Sequence, residues 1–352
     1  MLMAISIGMP PALAETRALL IGVSDYDDAI GLDDLRGPAN DVRLLRDVLG
    51  GRGVTDIAVL ADGVEGGAVP TRAAILAAFD DMAARAGAGD LVYVHLSGHG
   101  TRQQDLNGDE TDGLDEVFMP RDVGIMRRGM TEWPNSYVDK DIKADIDAIR
   151  AKGAFVWALF DCCHSATITR NLEMAAEGEK SRKVNLADYD IPDDMWQPAT
   201  TRSTAAGMAA QPQTMFGAVG TVGTEDGLPP MVAFFAAQKI EETPELPLPR
   251  DAEDRVQLGL FTFTLLTQLR THPGATYTEL GQAIHHQRSV GELGQRIVIG
   301  QTANLLLAMF AASDVGEHRD IFVGIALFVA NGRNRQPLGV YRAVLAAVPD
   351  FI

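Results

Sequence analysis

"FVWALFDCCHSA", residues 155–166, decides how this chain is read. Six consecutive apolar residues run without alternation into a polar cluster that holds the only two cysteines in 352 residues. An uninterrupted apolar run of this length, bounded by polar residues, is the pattern of a strand covered on both faces, as in a parallel sheet. Side chains alternate along a strand, so Asp161 and Cys163 point one way and Cys162 the other. Adjacent cysteines cannot staple distant segments, and adjacent metal ligands cannot converge tetrahedrally on zinc. An inert buried pair and a nucleophile with a neighbour both remain as readings of this stretch.

Outward from it, strand and helix patterns alternate. Strands are expected at 17–24 (RALLIGVS), 54–62, 90–98 (DLVYVHLSG), 154–161 and 231–238. Helical spacing of apolar residues marks 40–50, 71–87, 139–153, 259–271 and 276–290, and a further edge strand is expected near "RDIFVGIALFV". Buried strands alternating with helices give an α/β fold, a mainly parallel central sheet flanked by helices on both faces. The rhythm stops between 166 and 228, where polar and small residues prevail without a period; a connection of that length is functional or unstructured. The expected divisions are a possible signal or tail (1–16), a catalytic half (17–165), a linker (166–228), a second half (229–325) and a tail without assigned role (326–352).

The formal charge is −18, from 48 acidic and 30 basic residues. Such a field disfavours nucleic acid and anionic membranes and favours cationic ligands. No run of 18 apolar residues exists, so no membrane span is expected. Near the start, Ala12-Leu13-Ala14 before Glu15 resembles a secretory cleavage pattern, although no basic residues precede the apolar part. Export is the expectation, with a terminal tail as the alternative.

Two strands end in polar clusters, "HLSGHGT" (95–101) and "LFDCCHS" (159–165). Open parallel sheets form their sites at the carboxyl ends of strands. A thiol beside an imidazole suffices for nucleophilic catalysis: His99 takes the proton of Cys163 and the thiolate attacks a carbonyl. Ser97 shares the His99 face, and the Gly98 N–H is placed to hold an oxyanion.

"YVHLSGHGT" and "ALFDCCHSA", with "ALLIGVSDYDD", "LRGPANDVRLL", "DETDGLDEVFMPRD" and "AAQKIEE…GLFTFTLLTQL", resemble the caspase-like cysteine peptidases of the metacaspase and bacterial orthocaspase type. The resemblance runs from about residue 17 to 325. It implies a caspase-like fold, Cys163 as nucleophile, His99 as base, and cleavage after Arg or Lys held by Asp41, Asp161 and Ser97. It also implies protein or peptide substrates, a monomer, and self-cleavage in the linker, with the Arg182–Lys183 neighbourhood favoured. A catalytically silent interaction module is the alternative. Many members of the family bind activating calcium, and Asp115 and Asp139 match that pattern. Lys140 and Arg170 fall where further acids are expected, so no cofactor is required by this reading. The loop at 105–116 carries Glu110 where a calcium-binding loop needs glycine.

Overall fold

The computed structural model describes residues 14–108, 110 and 113–162, then parts of 180–191, 213–218, 227–250 and 252–284. Strands β1 (Thr16–Gly22), β2 (Asp56–Ala61), β3 (Leu91–Ser97), β7 (Phe155–Asp161) and β11 (Met231–Phe235) form one five-stranded sheet in the order β11-β7-β3-β1-β2. All four pairings are parallel. All of these strands were expected, each within a few residues of its observed bounds.

Helices α1 (Gly37–Gly51) and α4 (Leu260–Thr271) cover one face; α2 (Arg72–Arg85) and α3 (Asp139–Arg150) cover the other. The residues explain the division. In α2, Ile75, Phe79 and Met82 repeat at helical spacing and are buried, and the Thr71 hydroxyl caps the start by accepting from the Ala74 N–H at 3.2 Å. In α3, Ile142, Ile146 and Ile149 do the same. In α1, Val42, Leu45 and Leu49 face the opposite cluster. Each fully buried aliphatic or aromatic side chain contributes about 1.5–3 kcal/mol, so the two layers hold the sheet between them.

Strand parity is visible in the cores. Val156, Ala158, Phe160 and Cys162 join the α2/α3 cluster, while Phe155, Trp157 and Leu159 join the α1/α4 cluster. Asp161 therefore lies on the α1/α4 side and Cys162 on the other.

Two small antiparallel sheets were not expected. β4 (Gly100–Gln104), β5 (Leu114–Phe118) and β6 (Tyr137–Val138) form one, directly after β3. β8 (Lys180–Ser181), β12 (Pro244–Leu248) and β13 (Val256–Gly259) form the other, in the order β13-β12-β8. A two-residue pairing, β9 (Gln213–Thr214) with β10 (Gly217–Ala218), completes the strands. Strands this short carry too few residues for period-2 alternation to stand out. Residues 277–284 include helical backbone, within the expected 276–290. The expected strand near 320 and the tail lie outside the described residues. No described helix is long and apolar enough to cross a membrane.

Candidate active site

At the carboxyl ends of β3 and β7, Ser97 and Asp161 are register partners and both face the α1/α4 side. There they meet Asp41, one turn into α1. The Ser97 hydroxyl donates to Asp41 Oδ2 at 2.9 Å, and the Gly259 N–H donates to Asp41 Oδ1 at 2.9 Å. No acidic side chain occupies the first turn of α1, so Asp41 is not a helix-terminal carboxylate. That role belongs to Asp161: its Oδ2 accepts from the Thr262 N–H (3.1 Å) and hydroxyl (2.6 Å) at the start of α4. His95, beneath the pocket, meets the same Thr262 hydroxyl at 3.2 Å. Because that hydroxyl already donates to Asp161, His95 Nε2 is the donor. Burial pushes the His95 pKa down to about 4, so the ring is neutral and serves as a prop.

The pocket holds a guanidinium from the chain itself. Arg182 is fully buried, with Nη2 donating to Asp41 Oδ2 at 2.7 Å and Nη1 donating to Ser97 Oγ at 3.0 Å and to the Asp161 carbonyl at 2.9 Å. Nη1 lies 2.9 Å from Asp161 Oδ1, and Nη2 lies 3.9 Å from Glu245 Oε2. Burial works against the charge on Arg182, but Asp161, Asp41 and Glu245 outweigh it and drive the pKa up. Burial raises Asp41 to about 6, against the pull of Arg182.

Glu245 is the pocket residue the sequence did not reveal. It comes from β12, and its carboxylate accepts the Arg36 and Gly37 N–H groups at 3.1 and 2.9 Å, at the start of α1. Two glycines complete the walls. A Cβ on Gly37 would stand 2.5 Å from Arg182 Nη2, and one on Gly259 would stand 2.3 Å from Asp161 Oδ2. Only a bare backbone leaves room for the guanidinium at these two positions.

Beside the pocket, His99 is buried and held from several sides. Its N–H donates to the Tyr26 hydroxyl at 3.0 Å, and the two rings are 5.1 Å apart. Nε2 faces the Asp33 carbonyl at 2.8 Å, and Nδ1 faces the Arg182 carbonyl at 3.0 Å. Burial lowers the His99 pKa, while those carbonyls raise it. Both carbonyls can only accept, so whichever ring nitrogen carries the proton is the donor, and Nδ1 is the one beside Arg182. The Gly100 N–H donates to that same carbonyl at 3.3 Å. Gly98, the expected oxyanion donor, instead directs its N–H to the Asp161 carbonyl at 3.4 Å. The Gly98 donor binds β3 to β7, and the donor aimed at the Arg182 carbonyl lies two residues further on, past the turn that carries His99. Cys163 lies outside the described residues. Cys162 is buried in the α2/α3 core.

The expected calcium ligands lie elsewhere, between β5 and α3. Asp115 and Asp139 are both buried, but the Lys140 ammonium stands 2.9 Å from Asp115 Oδ1 and 3.7 Å from Asp105 Oδ1. Asp105 accepts the N–H groups of Asn107, Gly108 and Glu110 at 2.8–3.0 Å, so its oxygens shape the loop. Among the described residues, no group of three or more His, Cys, Asp or Glu is arranged to hold a metal. Asp139 lies against Glu116, Glu110 and Asp115, and burial with their charges raises its pKa to about 9, so carboxylates crowd this place while Lys140 pairs with Asp115. Arg170 lies outside the described residues.

Comparison with known proteins agrees with this geometry. Residues 16–171 match the family described as "Metacaspase, peptidase C14 domain". The chain is 35% identical over 156 residues to Metacaspase-1 of Kluyveromyces lactis, covering 43% of this chain and 34% of that protein. It is 35% identical over 165 residues to Metacaspase III c of Phaeodactylum tricornutum, 46% of each. It is 29% identical over 286 residues to Metacaspase-1B of Aspergillus oryzae, covering 77% and 64%. The chain thus spans between about a third and two thirds of these relatives. A crystal structure of a protein from Geobacter sulfurreducens shares the fold, with a TM-score of 0.50 at 19% identity, covering 78% of this chain and 89% of that one. Residues 16–171, the segment that carries His99 and Asp161, are thus similar to the metacaspase peptidase C14 domain, and the five parallel strands layered between helices agree with that likeness.

Proposed function

We propose that the protein is a cysteine endopeptidase that cuts after arginine or lysine with Cys163 as nucleophile and His99 as base, and that it processes itself after Arg182. One observation carries the reading: Arg182 fills an acidic pocket while its own carbonyl lies against His99 Nδ1 and the Gly100 N–H. That is the arrangement a substrate needs. The positive residue is anchored, its carbonyl lies beside the base, and a backbone donor points at the oxygen that gains charge in the transition state. The Cys163 thiolate adds to that carbon. Collapse breaks the C–N bond, His99 gives its proton to the departing amine, and water then hydrolyses the thioester.

The carboxylates argue for arginine before the cut and against aspartate, since Asp41, Asp161 and Glu245 would repel an acidic side chain at close range. No calcium is required in this reading, because Lys140 supplies the positive charge between Asp105 and Asp115.

The complete burial of Arg182 supports a second reading, a silent module in which Arg182 is a permanent ion-pair core. Fluorogenic peptides ending in Arg, Lys or Asp separate the two. Hydrolysis of the Arg and Lys peptides alone, lost in Cys163→Ala and kept in Cys162→Ala, is expected. Terminal sequencing of the wild type should find a new terminus at Lys183 that Cys163→Ala lacks. Failure to cut any of the peptides would leave the silent module standing.

A further inference from the structure

The residues preceding Arg182 lie in the cleft as an ordered strand. Lys180 and Ser181 pair antiparallel with β12, opposite Glu245 and Pro244, and the Arg182 N–H donates to the Thr243 carbonyl at 3.1 Å. Beyond the pocket the Val184 N–H approaches the Gly100 carbonyl at 3.5 Å, and Val184 is buried in the α2/α3 core. The chain therefore crosses the site in one direction, with β12 as the edge that receives it.

On this path Lys180 stands two residues before Arg182. Its ammonium donates to the Asp34 carbonyl at 2.8 Å. The loop it reaches, residues 25–36, has five aspartates and one arginine, and it also supplies the Asp33 carbonyl to His99. Asp33 and Asp34 are exposed there. An ammonium docked on a carbonyl inside a negative loop is a second basic subsite, separate from the buried arginine pocket.

We propose that this loop selects a basic residue at the third position before the cut, so that the substrates are sequences of the form Lys-x-Arg lying as a strand along β12. The inference rests on the endopeptidase reading above, with Arg182 as the residue before the cut. Position three is read by a carbonyl acceptor and the field of exposed carboxylates, whereas the buried pocket reads the arginine by paired contacts. The second subsite is therefore the weaker and the more sensitive to salt.

The test uses the full chain and three Arg-ending fluorogenic tetrapeptides that differ only in the third residue before the cut: Lys, Leu or Glu. The Lys peptide should exceed the Leu peptide in kcat/KM by about threefold to fivefold, the size an exposed ion pair commonly supplies, and the Glu peptide should be slowest. The difference should appear in KM and shrink in about 0.5 M salt, where charges are screened within a few ångströms. Asp33→Asn should lower the Lys-to-Glu ratio, which is read within the one variant. In the full chain, Lys180→Glu should slow the appearance of the Lys183 terminus. Equal rates for the three peptides overturn the inference and leave the peptidase reading intact. No cleavage of any of them overturns both.

Discussion

Two acidic clusters in this protein each contain a cation from the chain, and they differ in where that cation comes from. Around Asp41, Asp161 and Glu245 the cation is Arg182, fully buried and placed directly after the two-residue β8. Around Asp105 and Asp115 it is Lys140, a third exposed and built into the first turn of α3. The first cluster fits a guanidinium, with several donors spent on oriented acceptors and bare glycine walls on either side. The second presents an ammonium to a carboxylate and a loop amide. A cation held beside a two-residue edge strand is tied to the fold by few backbone pairings. One on a helix whose isoleucines are in the core is held by that packing. In the proposed reading the same electrostatic need is met once by a replaceable group and once by a fixture, so that the first would be a binding site and the second a strut.

The largest effect expected from breaking this contrast is on substrate. Asp161→Asn keeps the shape of the pocket and removes one charge facing the guanidinium. A charge-assisted hydrogen bond contributes about 1.5–3 kcal/mol, so kcat/KM for Arg peptides should fall roughly 10- to 100-fold, with little change in melting temperature. Asp41→Asn should behave alike. Wild-type rates in both variants would put the arginine site elsewhere.

Arg182→Ala sharpens the contrast through stability. If Arg182 were a permanent core group, its loss would strand buried carboxylates at a cost of about 3–5 kcal/mol. As a replaceable occupant it leaves a pocket that water enters, and the loss should be nearer 1–2 kcal/mol. Free arginine or agmatine should then restore the melting temperature of the variant, as any ligand of the folded state does. Arg182 Nε has no hydrogen-bond partner among the described residues, which fits an occupant better than a core group. A large loss that guanidinium compounds do not repair would favour the silent module.

Much of this was legible in the chain. The sheet was readable because its strands are buried on both sides, and parity along 155–163 is enough to set Asp161 and Cys162 on opposite faces. His99 and Ser97 were found because each sits at the end of a strand, where sequence pattern is sharpest, and Asp41 through the family resemblance of "LRGPANDVRLL". Glu245 was missed because it stands on a five-residue strand of a small sheet, more than 200 residues from Asp41. The roles of Gly98 and Gly100 could not be separated from sequence, since the direction of a backbone N–H depends on the turn through His99. Arg182 was noticed as a cleavage point, but its place in the pocket depends on the pairing of β8 with β12, which two residues cannot announce. Asp161 was expected to act only on substrate, yet it also holds the start of α4, because its second oxygen faces a helix that begins 99 residues later.

A smaller effect comes from pH. With the guanidinium in place, burial holds Asp41 at about 6, above the ordinary aspartate value of about 3.9. Below pH 6 the carboxyl takes up a proton and the pocket loses one negative charge. KM for Arg peptides should therefore rise as pH falls through about 6. The contribution to stability runs the other way. The folded pKa lies above the unfolded one, so the folded state binds more protons between the two values. The share of stability that comes from Asp41 is complete below pH 4 and is lost as pH rises through 6. Opposite slopes for KM and for this share of stability, both removed in Asp41→Asn, are the signature. A KM that is flat from pH 5 to 8 would show that Asp41 does not carry the charge.

The smallest expected effect is the response to calcium, and it tests the strut. Calcium takes six to eight oxygens, largely from carboxylates, at one centre. Here the Lys140 ammonium lies 2.9 Å from Asp115, donates to the Asn107 amide oxygen at 2.8 Å, and approaches Asp105. Asp105 meanwhile spends its oxygens on three backbone N–H groups of its own loop. An entering ion would have to compete with the ammonium for Asp115 and take Asp105 from its own loop amides. Activity on an Arg peptide in chelator and in millimolar calcium should therefore agree within about twofold, and Lys140→Ala should cost less than about 1 kcal/mol of stability, as partly exposed ion pairs do. Lys140→Asp turns the argument round: it removes the resident cation and adds a carboxylate beside Asp115. That variant should lose stability in chelator and recover part of it on adding calcium. A tenfold rise in wild-type activity with calcium would mean that the ion is bound by other oxygens and that Lys140 is no substitute for it.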